Sequence, residues 1–182
     1  MKTFHAFITL REGEGGQGNR DTITQLPLSH DNLAMAVRDI EDTDENASVF
    51  ETLAGHPSRR VREEVACMDC LNEATVRALA VDRSVDVIRA LVLTDGFATH
   101  ATEGEVMALI DRDTEVAESV ADKLDTYERV NQSAVLHRLF ELEDTAVMAA
   151  LASSDSVPEV MLLQLADHPD PEVRSRARQR LD

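Results

Sequence analysis

The chain has 182 residues, 43% of them hydrophobic, which suffices for one sizeable core or a short stack of helices and is too apolar for a disordered segment. Thirty-five acidic residues oppose 18 basic ones, a formal net charge of -17, and this disfavours a broad nucleic-acid footprint, because duplex binding needs neutralised phosphates. Aromatic residues make up only 3%, so Ala, Val and Leu must fill any core, and these suit close helix-on-helix packing.

The acidic excess has four readings: a solvated surface, a patch that docks a basic protein, mimicry of nucleic acid, or adaptation to a salty cytoplasm. Cys67 and Cys70 are the only cysteines, too few for a disulfide framework. The N-terminus is briefly apolar and then reaches Arg11 and Glu12, short of a signal-peptide core, and no stretch approaches the roughly 18 apolar residues of a membrane span. The expectation is a protein of the cytoplasm, with no membrane contact.

In chain order, residues 3–10 and 22–28 read as two short strands. Between them lies a glycine-rich run, residues 13–19. It lacks the Gly-Lys-Ser/Thr ending of a phosphate loop, so it reads as a hairpin tip that could also order on a partner. The first helix is expected from His30 to Ile40, with Leu33, Val37 and Ile40 on one face. The second covers 46–54 with Val49, Phe50 and Leu53. Ser58 is the expected N-cap of a helix carrying Val61 and Val65, and Asn72 opens the next, with Val76 and Leu79 inward. Asp82-Arg83-Ser84 opens the helix of Val87 and Leu91, and Thr94-Asp95-Gly96 is expected to stop it. Asp111 to Thr114 opens the helix of Val116 and Val120, and Glu143-Asp144-Thr145 that of Val147 and Leu151. A connection then leads to Val160, Leu162 and Leu165. Pro171 stands at the first position of a last helix, where its missing amide hydrogen costs nothing.

Two interleaved sets of apolar pairs run through these helices. Val61/Val65, Val87/Leu91, Val116/Val120, Val147/Leu151 and Val173/Ala177 recur at steps of 26, 29, 31 and 26 residues. Phe50/Leu53, Val76/Leu79, Val106/Leu109, Leu136/Leu139 and Leu162/Leu165 recur at 26, 30, 30 and 26. Fixed-period pairs of short helices predict an all-α fold: a short right-handed α-solenoid of about five two-helix repeats of 26–31 residues over 30–182, preceded by a β-hairpin domain over 1–29. Arg174, Arg176, Arg178 and Arg180 give the last helix a polar outward side, as a terminal cap requires.

The stretches Leu53-Ala54-Gly55-His56-Pro57-Ser58-Arg59-Arg60-Val61-Arg62 and Leu165-Ala166-Asp167-His168-Pro169-Asp170-Pro171-Glu172-Val173-Arg174 resemble the linker and helix start of the leucine-rich repeat variant family. They are similar also to HEAT-like (armadillo-type) repeats, where an Asp-Pro turn precedes a Val-Arg helix. Residues 74–80 resemble the second helix of the variant repeat. The resemblance covers roughly residues 30–182 and implies stacked helices with a binding role. The middle units lack the proline, and whether each first helix is α or 3₁₀ is open. Some family members carry an iron–sulfur module on N-terminal cysteines; this chain has none there.

Chemistry is sparse. Cys67 and Cys70 could hold a metal only if two further ligands converged; His56 and His100 are candidates in sequence alone, and a redox role lacks the strand-then-helix setting. His30, His56 and His168 recur in the turns before first helices, a placement that reads as turn chemistry. No catalytic residue, metal site or cofactor is nominated, and the chain reads as a non-enzyme. The candidate partner-binding residues are two basic clusters, Arg59, Arg60 and Arg62, and Arg174, Arg176 and Arg178. The leading expectation is a protein–protein interaction module whose partner has basic character. A protein that mimics nucleic acid or regulates a nucleic-acid-binding system, or a structural or chaperone subunit of an assembly, is the alternative. Self-association through the basic clusters is a further expectation.

Overall fold

The structure, a computed structural model, describes residues 6–12 and 22–182. The glycine-rich residues 13–18 and His5 lie outside the described residues. Strands β1 (Phe7–Glu12) and β2 (Thr22–Pro27) form an antiparallel pair, with Phe7 opposite Pro27 and Glu12 opposite Thr22. The first strand thus sits a few residues later than the alternation in 3–10 predicts.

Twelve α-helices follow among the described residues, and the protein is predominantly helical. They are α1 (His30–Arg38), α2 (Ala47–Ala54), α3 (Arg59–Ala66), α4 (Glu73–Ala80), α5 (Val85–Val92) and α6 (Asp95–His100). After them come α7 (Glu103–Arg112), α8 (Thr114–Lys123), α9 (Gln132–Glu141), α10 (Thr145–Ser153), α11 (Glu159–Leu165) and α12 (Pro171–Leu181). Most are two to three turns long, too short to persist alone in water, so packing must hold them.

Side-chain caps set their starts. Asn72 accepts the Thr75 amide, Asp113 that of Glu115, and Asp144 and Asp170 each take two amides of the turn they open. Thr102 and Glu105 form a reciprocal capping box at α7, and its hydrogen bonds hold the Glu105 carboxyl below its usual range although burial pushes it up. Ser58 sits at the N-cap of α3, but its hydroxyl makes no capping bond; its amide instead donates to His56 Nδ1.

One expectation is corrected. Thr94-Asp95-Gly96 does not merely end α5: Thr94 accepts the Phe97 amide and opens α6, an extra short helix absent from the other helix pairs. Residues 124–126 likewise form a 3₁₀ turn after α8. α6 falls within the 29-residue step of the first apolar set and the 3₁₀ turn within the 31-residue step. On α11, Leu162 and Leu165 are buried and Val160 is exposed.

The apolar pairs explain the packing. Every residue of the first set is fully buried, and in the second set only Leu53 is partly exposed. The helices carrying the first set pack in sequence, α3 on α5, α5 on α8, α8 on α10 and α10 on α12, with α1 against α3. Their partners contact α2 to α4, α4 to α6 and α7 to α9, and each lies beside the following first helix. All five helices of the first set are α, which closes the choice between α and 3₁₀. In the interior Phe97 and Tyr127 meet edge-on at 5.5 Å, and the Tyr127 hydroxyl donates to the Val92 carbonyl at 3.1 Å. No helix among the described residues is long and apolar enough to cross a membrane.

Candidate functional site

The two basic clusters do not behave as clusters. Arg62 is buried: its Nε and Nη2 grip Asp82 at 2.6 and 3.0 Å, and its Nη1 donates to the carbonyls of His56 and Pro57. It is a strut between the turn before α3 and the turn before α5, so it is withdrawn from the candidate partner-binding residues. Arg59 pairs with Asp86 and Arg60 with Asp31. On α12, Arg176 pairs with Glu172 and reaches the Ala149 carbonyl. Arg180 bonds the Ser154 carbonyl, and Arg178 Nε donates to the Ala166 carbonyl at 3.2 Å. Arg174 binds the carbonyls of His168 and Pro169. The terminal arginines thus cap the ends of α10 and α11 as well as facing water.

Other arginines act in the same way. Arg38 bonds Glu64, Arg89 bonds Glu115 and Arg138 bonds Asp111, each across 26 or 27 residues. Each pair joins one helix to a helix packed against it, α1 to α3, α5 to α8 and α7 to α9. In the linear sequence these arginines read as surface charge; the signal for their role is an acidic residue 26 or 27 positions away.

A second ladder runs along the turns that follow α1, α3 and α5. The Asp42 carboxylate accepts the amides of Asp69 at 2.7 Å and Cys70 at 3.0 Å, and Asp69 in turn accepts the Asp95 amide at 3.0 Å. Gly96 permits this approach, because a Cβ there would lie 2.7 Å from the Asp69 carbonyl oxygen. Exposed Asp39, Glu41, Asp44, Glu45, Asp69 and Asp95 line this edge, and no Lys or Arg occurs in the turns 39–46, 67–72 and 93–95. The edge is negative, and its backbone is fixed layer to layer by the bonds beneath.

The turns before α3, α5 and α12 share one construction. His56 Nδ1 accepts the Ser58 amide, Asp82 Oδ1 the Ser84 amide, and His168 Nδ1 the Asp170 amide, at 3.1, 2.8 and 3.1 Å. Histidine and aspartate are interchangeable here as acceptors two residues ahead. Burial and the neighbouring His30 ring, 4.9 Å away, push His56 below its usual range. Burial raises Asp82, but the Arg62 and Ser84 hydrogen bonds outweigh it and hold the carboxyl below its usual range.

Cys67 and Cys70 are free thiols, and burial together with nearby carboxylates raises both above the ordinary value, opposite to what a reactive cysteine needs. Among the described residues no group of three or more His, Cys, Asp or Glu side chains is placed to hold a metal ion. No protein-family model, curated protein or solved structure matches this chain.

Proposed function

We propose that the protein is a non-enzymatic interaction module, a short α-solenoid of the leucine-rich repeat variant or HEAT-like kind, that docks a basic protein along its acidic turn edge. The observation that carries this reading is the ladder Asp42–Asp69–Asp95. It holds successive carboxylate-bearing turns in fixed register, while the arginines that would neutralise them are bonded elsewhere. Helices of adjacent layers lie about 8–10 Å apart, so the edge presents negative charge at a spacing that a basic surface or segment matches over several layers. The sequential helix contacts and the apolar steps of 26, 29, 31 and 26 residues support the repeat assignment, with α6 and the 3₁₀ turn falling inside the two longer steps.

The test is capture of partners from native lysate by the tagged protein at low and high salt, with nucleic acid assayed in the eluate. A stoichiometric basic protein, released by salt and lost when Asp39, Glu41, Asp44 and Glu45 are changed to Asn or Gln, supports the reading. Equal capture by that variant rules the edge out. Mimicry of nucleic acid is the second reading, favoured by the single sign and layered repetition of the edge. It requires that duplex DNA compete with the protein for the captured partner.

A further inference from the structure

Arg62 and Arg174 occupy the same seat in two places. Each follows a fully buried valine, Val61 or Val173. Each sends Nη1 to two carbonyls of the preceding turn: Arg62 to His56 and Pro57 at 2.9 and 3.2 Å, Arg174 to His168 and Pro169 at 2.7 and 2.8 Å. Behind both stands a histidine whose Nδ1 accepts an amide at 3.1 Å. The guanidinium is therefore oriented identically by its local sequence.

The other edge of the fork differs. Arg62 Nε and Nη2 close on the two oxygens of Asp82, which is carried on the turn before the next helix of the row. Arg174 Nε and Nη2 have no acceptor among the described residues. Arg174 lines an open groove on α12 together with Pro171, Ser175, Arg178, Gln179 and Asp182. Arg178, one turn beyond Arg174, uses only Nε, on the Ala166 carbonyl. Arg178 falls where α3 has buried Ala66, four residues after its arginine.

We propose that this groove binds the carboxylate of an aspartate-bearing turn on another protein, with Arg174 taking it bidentately as Arg62 takes Asp82, and Arg178 adding a second positive charge. The Arg62–Asp82 pair inside the same molecule is the template for the recognition. The occupant follows from charge. A second copy docked face to face would bring the same two guanidiniums together, and a nucleic-acid polyanion would meet the net -17 of the body. A single carboxylate on a turn brings one charge, which with the Asp182 side chain balances the two guanidiniums of the groove, and a fork already fixed by two carbonyls loses little side-chain freedom on binding. This surface is separate from the acidic turn edge and opposite to it in sign, so either can fail alone.

The test follows the Nε–Hε signals of the arginines by NMR in the 182-residue protein. The probes are a capped Val-Asp-Arg-Ser-Val peptide copying residues 81–85, its Asn-for-Asp version, and inorganic phosphate. The expected result is a saturable shift of Arg174 with Arg62 unmoved, and binding about tenfold weaker for the Asn peptide, the loss of a charged hydrogen bond. Arg174→Gln should abolish the saturable shift of the Arg178 Nε–Hε signal, and Arg178→Ala should weaken binding while the Arg174 signal still reports. A linear, non-saturating drift, equal response to both peptides, tighter binding of phosphate than of the Asp peptide, or a shift of Arg174 on diluting the protein alone would each overturn the proposal.

Discussion

Asp82→Asn tests the strut at the centre of this architecture. Asparagine keeps an oxygen for the Ser84 amide, so the turn before α5 stays closed, and the volume is unchanged. What is lost is the charge opposite Arg62. Both side chains are only 7% exposed, and Arg62 retains its bonds to two carbonyls but faces a neutral amide. Replacing a charge-assisted fork by one neutral hydrogen bond in such a site costs about 2–3 kcal/mol. For a chain of this length that is a fall in Tm of about 4–12 °C. The sign with pH is set by the carboxyl. Its folded value lies below the unfolded one, so its contribution is fully present above the ordinary carboxylate range and disappears as pH falls through the lowered folded value. Urea unfolding of wild type and variant at several pH values is the assay. The gap should be widest near neutrality and should close in acid. A cost under about 0.5 kcal/mol, the scale of an ordinary surface change, or a gap that does not change with pH, would refute the strut.

Gly96→Ala should destabilise by about 1–3 kcal/mol, because its Cβ would meet the Asp69 carbonyl at 2.7 Å; hydrogen exchange should localise the loss to α6 and the turn at Asp69. Glu143, at φ 52, is the one non-glycine residue with positive φ among those described, and it follows α9 where glycine is favoured, so Glu143→Gly should raise the urea midpoint by about 0.5–1 kcal/mol in free energy. Tyr127→Phe strands the buried Val92 carbonyl and should cost about 1–2 kcal/mol while leaving the edge contact with Phe97 in place, measured by thermal melting. Cys67 and Cys70 should react with iodoacetamide at neutral pH more slowly than a free thiol, since both titrate above the ordinary range; a faster rate at either would contradict the environment described.

The parts of the fold that follow from periodicity were legible in the sequence. Val61, Val87, Val116, Val147 and Val173 declare a buried row because an apolar pair four residues apart on a short helix has one place to go. Boundaries were legible where a cap carries them, as at Asn72, Asp113 and Asp170. Thr94 was misread because the same residue that caps a helix also ends the one before it, and only the tertiary seat for Phe97 decides that a new helix starts. The arginines were legible as charge and not as contacts. Arg62 and Arg59 are near neighbours in sequence, yet the first is buried against Asp82 and the second pairs in the open with Asp86. The two lie only about 60° apart around α3 and both reach the α5 region; Arg62, beside buried Val61, folds back on the turn before α3 and is closed over by Asp82, whereas Arg59 at the helix start meets Asp86 in the open. The carboxylate ladder was invisible for another reason: Asp42, Asp69 and Asp95 lie in turns, where acidic residues are expected for capping alone, and their bonds run between layers.

The division of labour between apolar and polar contacts follows from these geometries. Arg38–Glu64, Arg60–Asp31 and Arg138–Asp111 are largely exposed pairs, and such pairs add little to stability because water screens them and long side chains must be ordered. The cohesion of the rows therefore rests on the buried Val and Leu pairs. Apolar contact between short helices is permissive about sliding, however, since valine against leucine is satisfied at more than one offset. The polar bonds are not permissive. Asp42 must find the amides of both Asp69 and Cys70, and a slip of one residue between α1 and α3 would break that contact together with the Arg38 and Arg60 pairs. A chain so deficient in basic residues nevertheless places its arginines at these joints, leaving the turn edge acidic. Register and surface charge thus come from one allocation of arginine, and the interface chemistry proposed for the edge depends on that allocation as much as on the carboxylates themselves.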